Sequence, residues 1–247
     1  MRELWLSVRS TFFWTLSGLH FLIFCPLLIL LGRVLSKQAT DPFLRFFSRN
    51  LIRLTGARYE VRRSPGSRVD RPCLLMANHV NIFDPFVIYP ATEGVTRGLE
   101  LESHFQVPIY GWLMESFGNV PVPDRPDRKG LDRMRRKTSE ALTAGTSLIV
   151  FPEGTRTRSG RLGTFRTGVF RLAVDLQVRI VPVTVVGSFE LKRVNRARLS
   201  PSTIVIHLHD AIEPGDDPVA LRNRVREIVN GPLEAREAGS LETADSV

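Results

Sequence analysis

Residues 148–156 read Leu148-Ile149-Val150-Phe151-Pro152-Glu153-Gly154-Thr155-Arg156. Three aliphatic residues in a row suit a strand buried on both faces, and Pro152 with Gly154 then enforces a sharp turn. The carboxyl end of a buried strand is where α/β sheets place their sites. Gly154 lets the backbone approach a ligand closely, and Thr155 adds a hydroxyl that suits an anion. Glu153 offers a carboxylate for a hydroxyl, Arg156 a planar cation for a phosphate. Taken alone, the same residues also suit a surface turn closed by a Glu–Arg ion pair.

Working outward, short apolar strand candidates occur at 58–61, 73–77, 119–122, 147–151, 180–186 and 203–208. Helical patterns lie between several of them. One runs over 128–142 with Asp127 as its cap and Gly145 as its stop, and another follows Gly168. Strands alternating with helices imply an α/β domain, a mixed sheet flanked by helices, over 58–233. The tail 234–247 is charged, with Leu241 its one large apolar residue until the terminal Val247, and reads as frayed or disordered.

The chain has 247 residues, with 34 lysines and arginines against 25 acidic residues, a formal charge of +9. That balance implies a polyanionic partner, a nucleic acid or an anionic membrane surface. Residues 1–57 decide for the membrane. Residues 10–32 carry no formal charge and are long enough, at ~1.5 Å per residue, to cross a ~30 Å hydrocarbon core. Pro26 argues against a straight span and favours a re-entrant or interfacial hairpin as its competitor. A cleaved signal peptide fits poorly, because no small-x-small site follows the apolar run. In 41–56, Arg45, Arg49 and Arg53 form a basic stripe, while Phe43, Phe47, Leu51 and Leu54 line another face before Gly56. This segment reads either as a helix on anionic headgroups or as one packed on the core with a solvated arginine face. The fold class is thus α/β, preceded by an N-terminal membrane-associated helical segment. Two cysteines, Cys25 and Cys73, fit no disulfide framework or zinc spacing.

The second chemical segment is Met76-Ala77-Asn78-His79-Val80-Asn81-Ile82-Phe83-Asp84-Pro85. Asp84-Pro85 is a helix start, with the aspartate as N-cap and the proline at N1. A carboxylate there can also accept from an imidazole N–H and raise the basicity of the other ring nitrogen. Alone, His-x4-Asp is a weak signal and favours a structural histidine over a base.

Together, NHVNIFD and FPEGTR, in this order, closely resemble the glycerolipid acyltransferase family, whose bacterial form is 1-acylglycerol-3-phosphate acyltransferase. The resemblance extends over about 74–213. It implies that His79 is the general base for an acceptor hydroxyl, that Asp84 orients it, and that the activated oxygen attacks an acyl thioester directly. It further implies that Glu153, Gly154, Thr155 and Arg156 bind the acceptor. Residues 118–125 resemble the acceptor motif in which an arginine follows a strand. Arg125 is that arginine, with Pro123 as an extra residue before it. Val181-Pro182-Val183 resembles a fourth motif that helps shape the acyl-binding part. Its alternative is an ordinary buried strand with its proline at the edge. Where the family often carries a lysine ahead of the VPIYG segment, this chain has Glu100, Glu102 and His104.

The implied partners are an acyl-CoA or acyl carrier protein donor, a lysophospholipid acceptor, above all 1-acylglycerol 3-phosphate, and an anionic membrane surface. The implied place is the cytoplasmic face of a bacterial inner membrane. Another lyso-aminolipid or glycerol 3-phosphate acceptor, or a non-catalytic lipid-binding relative, are the alternatives. No cofactor and no metal are expected: His207 and His209 share one face of a strand without a third ligand nearby in sequence. No Gly-x-Ser-x-Gly elbow and no nucleotide-type phosphate loop occur. The basic run 125–137 lacks aromatic platforms, so no nucleic acid is expected. Oligomeric state is not set by the sequence.

Overall fold

A computed structural model describes residues 2–194 and 196–244. Two helices open the chain, α1 (Arg2–Val34) and α2 (Lys37–Leu54), with Ser36 capping α2 by accepting from the Ala39 amide. The chain continues through β1 (Arg58–Arg63), β2 (Leu74–Ala77), α3 (Asp84–Ile88), β3 (Thr96–Leu101) and α4 (Tyr110–Phe117). There follow β4 (Val120–Val122), α5 (Arg128–Thr143), β5 (Ser147–Val150), α6 (Gly168–Asp175) and β6 (Ile180–Val186). It closes with α7 (Ser188–Leu191), β7 (Thr203–Leu208) and α8 (Pro218–Ala244).

The strands form one sheet in the order β1-β7-β6-β2-β5-β3-β4. The run from β6 to β4 is parallel throughout, whereas β7 pairs antiparallel with β6 and parallel with β1. The sheet is therefore mixed and flanked by helices, as the alternation implied. Its central strands send alternate side chains to two cores. Leu75, Ala77, Ile149, Val181 and Val183 face α1, α2 and α4, while Leu74, Met76, Leu148, Val150 and Ile180 face α5, α6 and α8. This double burial is why these segments read as unbroken apolar runs.

Strand β3 escapes the periodicity reading because Arg97, Gly98 and Glu100 interrupt its apolar residues. Arg97 is nonetheless buried, its guanidinium donating to the Phe117 and Thr96 carbonyls at 2.7 Å each and to the Tyr89 hydroxyl at 2.9 Å. A buried cation with its donors used in this way is tolerated inside a sheet. Pro182 lies within a central strand. Its carbonyl accepts from the His209 amide just before the β7 ladder begins at Val183, so the missing N–H removes no rung toward β2.

Helix α1 passes through Pro26 unbroken, so the hairpin within 10–32 does not form. Packing holds the helix through the proline: Cys25 and Leu28 are buried in the same core as Phe47, Leu51 and Ile52 of α2 and the central strands. Among the described residues, α1 is the one helix long and apolar enough to cross a membrane. Its outer face leaves Trp5, Phe12, Leu22, Ile23 and Leu30 exposed. In α2 the arginine stripe is only partly solvated. Arg45 pairs with Asp41 at 2.5 Å and donates to the Thr92 and Gly94 carbonyls. Gly56 takes a left-handed φ of +71° and ends the helix as expected. Helical backbone continues past Glu234 to Ala244, where the sequence reading placed a frayed tail, and the last three residues lie outside the described set.

Beyond Ala77 the Asn78 side chain prolongs the β2–β6 ladder. Its Nδ2 donates to the Val185 carbonyl at 2.9 Å and its Oδ1 accepts from the Val185 amide at 2.7 Å. Both partners are buried, and an unpaired buried polar group costs about 1–3 kcal/mol. Asn78→Ala is therefore expected to lower unfolding stability by roughly 2–4 kcal/mol, read as a lower urea midpoint at unchanged m-value.

Candidate active site

Parallel strands bring their carboxyl ends to one margin of the sheet, and the segments leaving β2, β3, β5 and β6 meet there. His79 lies two residues beyond β2. Its Nδ1 is 2.8 Å from Asp84 Oδ2, and the same oxygen accepts from the amides of Val80 at 2.6 Å and Asn81 at 2.8 Å. Asp84 Oδ1 accepts from the Ser188 hydroxyl at 2.7 Å. Asp84 is fully buried, and a carboxylate survives such burial only when its lone pairs are used. With an acceptor-only carboxylate at Nδ1, the network assigns the imidazole proton there and leaves Nε2 as the basic nitrogen. The ring stacks on Phe151 with centroids 4.0 Å apart, which fixes its plane.

The helix start differs from the expected cap. Asp84 is the first residue of α3, with Phe83 at the cap position and Pro85 just inside. The Asp84 carboxylate turns back onto the loop before it, and Asn81 Oδ1 accepts from the Phe83 amide at 2.6 Å. Asn81 also donates to the Ser188 hydroxyl at 2.7 Å, joining the loop to α7. Neither Asn81 nor Ser188 stood out in the sequence. Ser188 follows Gly187, whose φ of +87° turns the chain off β6, and that glycine was its only trace.

Glu153 is buried, and its two oxygens hold backbone: Oε1 accepts from the His79 amide at 2.7 Å, Oε2 from the Gly163 amide at 2.8 Å. The Thr157 amide in turn donates to the His79 carbonyl at 2.9 Å. Burial pushes the Glu153 carboxyl upward, while the two amides pull it back. The structure thus places Glu153 as a tie between the loops after β2 and β5, not as a carboxylate open to a ligand. Gly154 has a φ of +67°, and a Cβ there would meet Arg166 Nε at 2.8 Å. Thr155 and Arg156 are exposed beside it.

Two clefts meet at His79. One, of about 560 Å³, is apolar and runs from Trp14, Phe21 and Leu22 of α1 past Phe83 and Phe86. The other, of about 500 Å³, runs from Leu131 and Met134 of α5 to Gly154, Arg156 and Arg166. His79, Glu100, His104 and Arg156 line both. Arg125 is exposed and stands outside the lining, although its neighbours Asp124 and Pro126 contribute to it. Arg166 lines that cleft and supplies a second guanidinium that no motif had marked. Val181 and Val183 are buried in the core and line neither cleft.

Where the family often has a lysine, Glu100 accepts from His104 Nδ1 at 2.8 Å and from the Tyr110 hydroxyl at 3.1 Å. The backbone there is strained. Ile109 has a φ of +67°, and the Tyr110 amide donates to the Pro108 carbonyl at 2.8 Å, a γ-turn of the uncommon hand. A Cβ on Gly111 would lie 2.1 Å from the Phe105 carbonyl oxygen, so only glycine fits.

A general acyltransferase family profile matches residues 45–186, more than half of the chain. The chain belongs to the acyltransferase family. A 1-acyl-sn-glycerol-3-phosphate acyltransferase of Haemophilus influenzae is 29% identical over 199 residues, 78% of this chain and 81% of that protein. One from Chlamydomonas reinhardtii is 28% identical over 172 residues, 69% of this chain, which spans about half (51%) of that relative. The crystal structure of the 1-acyl-sn-glycerophosphate (LPA) acyltransferase PlsC from Thermotoga maritima shares the fold, with a TM-score of 0.82 at 22% identity over 96% of this chain and 98% of that one.

The His104 imidazole is held above its ordinary range by the hydrogen bond to Glu100, aided by the charges of Glu100 and Asp124 and opposed by desolvation and Arg156. Its folded pKa exceeds the unfolded one, so the pairing is complete below about pH 6.5 and is lost as pH rises through the folded value. Nuclear magnetic resonance titration should give His104 a midpoint above about 6.5, falling in Glu100→Gln. An unshifted midpoint in that variant contradicts the assignment.

Proposed function

We propose that the protein is an O-acyltransferase that moves a fatty acyl chain from a thioester to the free hydroxyl of a lysophospholipid, 1-acylglycerol 3-phosphate first among them. The carrying observation is the His79–Asp84 pair at the junction of two clefts, one mainly apolar and one bearing Arg166, with Arg156 lining both. His79 Nε2 takes the hydroxyl proton as the oxygen attacks the thioester carbonyl. The C–O bond forms, the C–S bond breaks, and the thiolate leaves. A thioester is already reactive, so a positioned base supplies what the step lacks. Arg156 and Arg166 suit the acceptor's phosphate. Asp84, Ser188 and Glu153 hold the base in place.

The same reading puts the protein on a membrane surface. Helix α1 is tied to the domain along its length: Arg9 donates to the Leu199 carbonyl at 3.1 Å, Ser10 accepts from the Leu199 amide at 2.9 Å, and Trp14 donates to the Ala197 carbonyl. Further along, His20 bonds the Phe47 carbonyl at 3.0 Å. A helix fastened this way lies in one leaflet with its domain, and its exposed apolar side faces the acyl chains. The cytoplasmic face of a bacterial inner membrane fits, since it offers both the lipid acceptor and a thioester donor. The Glu100–His104 pair widens the acceptor choice toward headgroups that carry a cation as well as a phosphate.

The test uses a panel of lysolipids with acyl thioesters. His79→Ala should lower kcat by about 10²–10⁴-fold with an unchanged circular dichroism spectrum. Near-wild-type turnover in that variant would exclude His79 as the base.

A further inference from the structure

Two histidine–carboxylate pairs face the same junction, and the proton transfer from the acceptor employs one of them. His104 belongs to the single helical turn Glu102–Gln106 after β3. Its Nδ1 lies 2.8 Å from Glu100 Oε2, as His79 Nδ1 lies 2.8 Å from Asp84 Oδ2. Both imidazoles line both clefts. Glu100 is held from behind, its other oxygen accepting from the Tyr110 hydroxyl at 3.1 Å. The Tyr110 ring also meets the His104 ring edge-on, with centroids 6.4 Å apart. An acceptor-only carboxylate fixes a proton on Nδ1 and leaves Nε2 of His104 for other work. The pairs differ in their access to water. Asp84 is fully buried, whereas the His104 side chain is 46% exposed and can exchange protons with solvent. Charges face His104 from every side: Glu100 of β3, Asp124 after β4 and Arg156 after β5. Glu102 of its own turn is paired to Arg133 of α5 at 3.0 Å. The hydrogen bond to Glu100 outweighs desolvation and Arg156, so the ring stays an imidazolium to higher pH than an ordinary histidine.

We propose that His104 is the general acid of the acyl transfer, protonating the sulfur that leaves while His79 takes the proton of the hydroxyl that attacks. This rests on the acyltransferase reading, in which the sulfur would otherwise depart as a thiolate. As the C–S bond breaks, its electron pair stays on sulfur and takes the proton from His104 Nε2, so the donor leaves as a thiol. His79 ends as an imidazolium and His104 as a neutral imidazole. His79 then yields its proton to water and His104 regains one from water, which resets the pair without a further reactant. A general acid must keep its proton at the pH where the base works, and Glu100 gives His104 that property. A phosphate site at His104 is disfavoured by the same carboxylate. Glu100 lines both clefts and would face the anion, whereas it stabilises a proton donor.

The experiment varies the leaving group. One acyl chain is presented as its N-acetylcysteamine thioester, whose alkanethiolate is a poor leaving group, and as its thiophenyl thioester, whose arenethiolate leaves unaided. The acceptor is 1-acylglycerol 3-phosphate in lipid vesicles, with the full chain. His104→Asn keeps a donor for Glu100 and removes Nε2. It should lower kcat about 10²-fold or more for the alkyl thioester and less than about three-fold for the aryl thioester, with an unchanged circular dichroism spectrum. A role confined to packing or to holding the acceptor lowers both alike. With the alkyl thioester, kcat should fall on the basic side as His104 loses its proton. In Glu100→Gln that fall should move to lower pH, because the carboxylate that favours the imidazolium is gone, while the aryl profile keeps its shape. Equal losses for the two thioesters, a change confined to KM, or an unmoved basic limb in Glu100→Gln overturns the general acid and leaves the acyltransferase reading standing. A folded wild type that turns over neither thioester on any lysolipid removes both.

Discussion

Everything at the sheet margin depends on one buried carboxylate. Asp84 has no contact with solvent, yet it collects the imidazole of His79, the amides of Val80 and Asn81, and the hydroxyl of Ser188. These donors come from the loop after β2 and from α7 after β6, so a single side chain sets the distance between two strand ends. Removing any one donor leaves the charge less compensated in a low-dielectric setting, which makes the arrangement cooperative. Glu153 repeats the device on the other side, joining the loop after β5 to the main chain of His79. His79 is thereby held at both its ring and its backbone.

The second constraint is directional. Parallel pairing puts the chemistry at one margin, and the helices decide what reaches it. On one side α1 and α2 share a core with the central strands and present apolar walls. On the other, α5 presents cations. The strained turn at Ile109 and the closely packed Gly111 set Val107 and Tyr110 at the apolar cleft, beside Glu100 and His104. Backbone strain of about 1–3 kcal/mol is sustained there by the packing around it.

Much of this was legible in the chain. Six of the strands, α5 with its Asp127 cap, and the meeting of His79 with Asp84 follow from apolar runs, capping chemistry and motif spacing. What stayed hidden has physical reasons. β3 was invisible because its burial is achieved by satisfying Arg97, which periodicity reads as polar. Ser188 and Gly163 act over separations that no local pattern encodes. Glu153 looked like a ligand because sequence reports a carboxylate in a turn but not the amides that occupy it. Pro26 argued for a break because local propensity ignores the core that buries Cys25 and Leu28. Arg125 matched a motif by position, yet it is exposed and stands outside the lining of the cleft.

The two clefts share His79 yet open on opposite flanks, one against the apolar side of α1 and one beneath the cationic side of α5. For the proposed reaction this separates the traffic of the products. The doubly acylated lipid is released where hydrocarbon is, and the spent thiol where water is. Neither has to pass the other, and neither blocks the path of the next substrate of its own kind. For that reaction the protein would be a junction between a soluble pool and a membrane pool, each served from its own side.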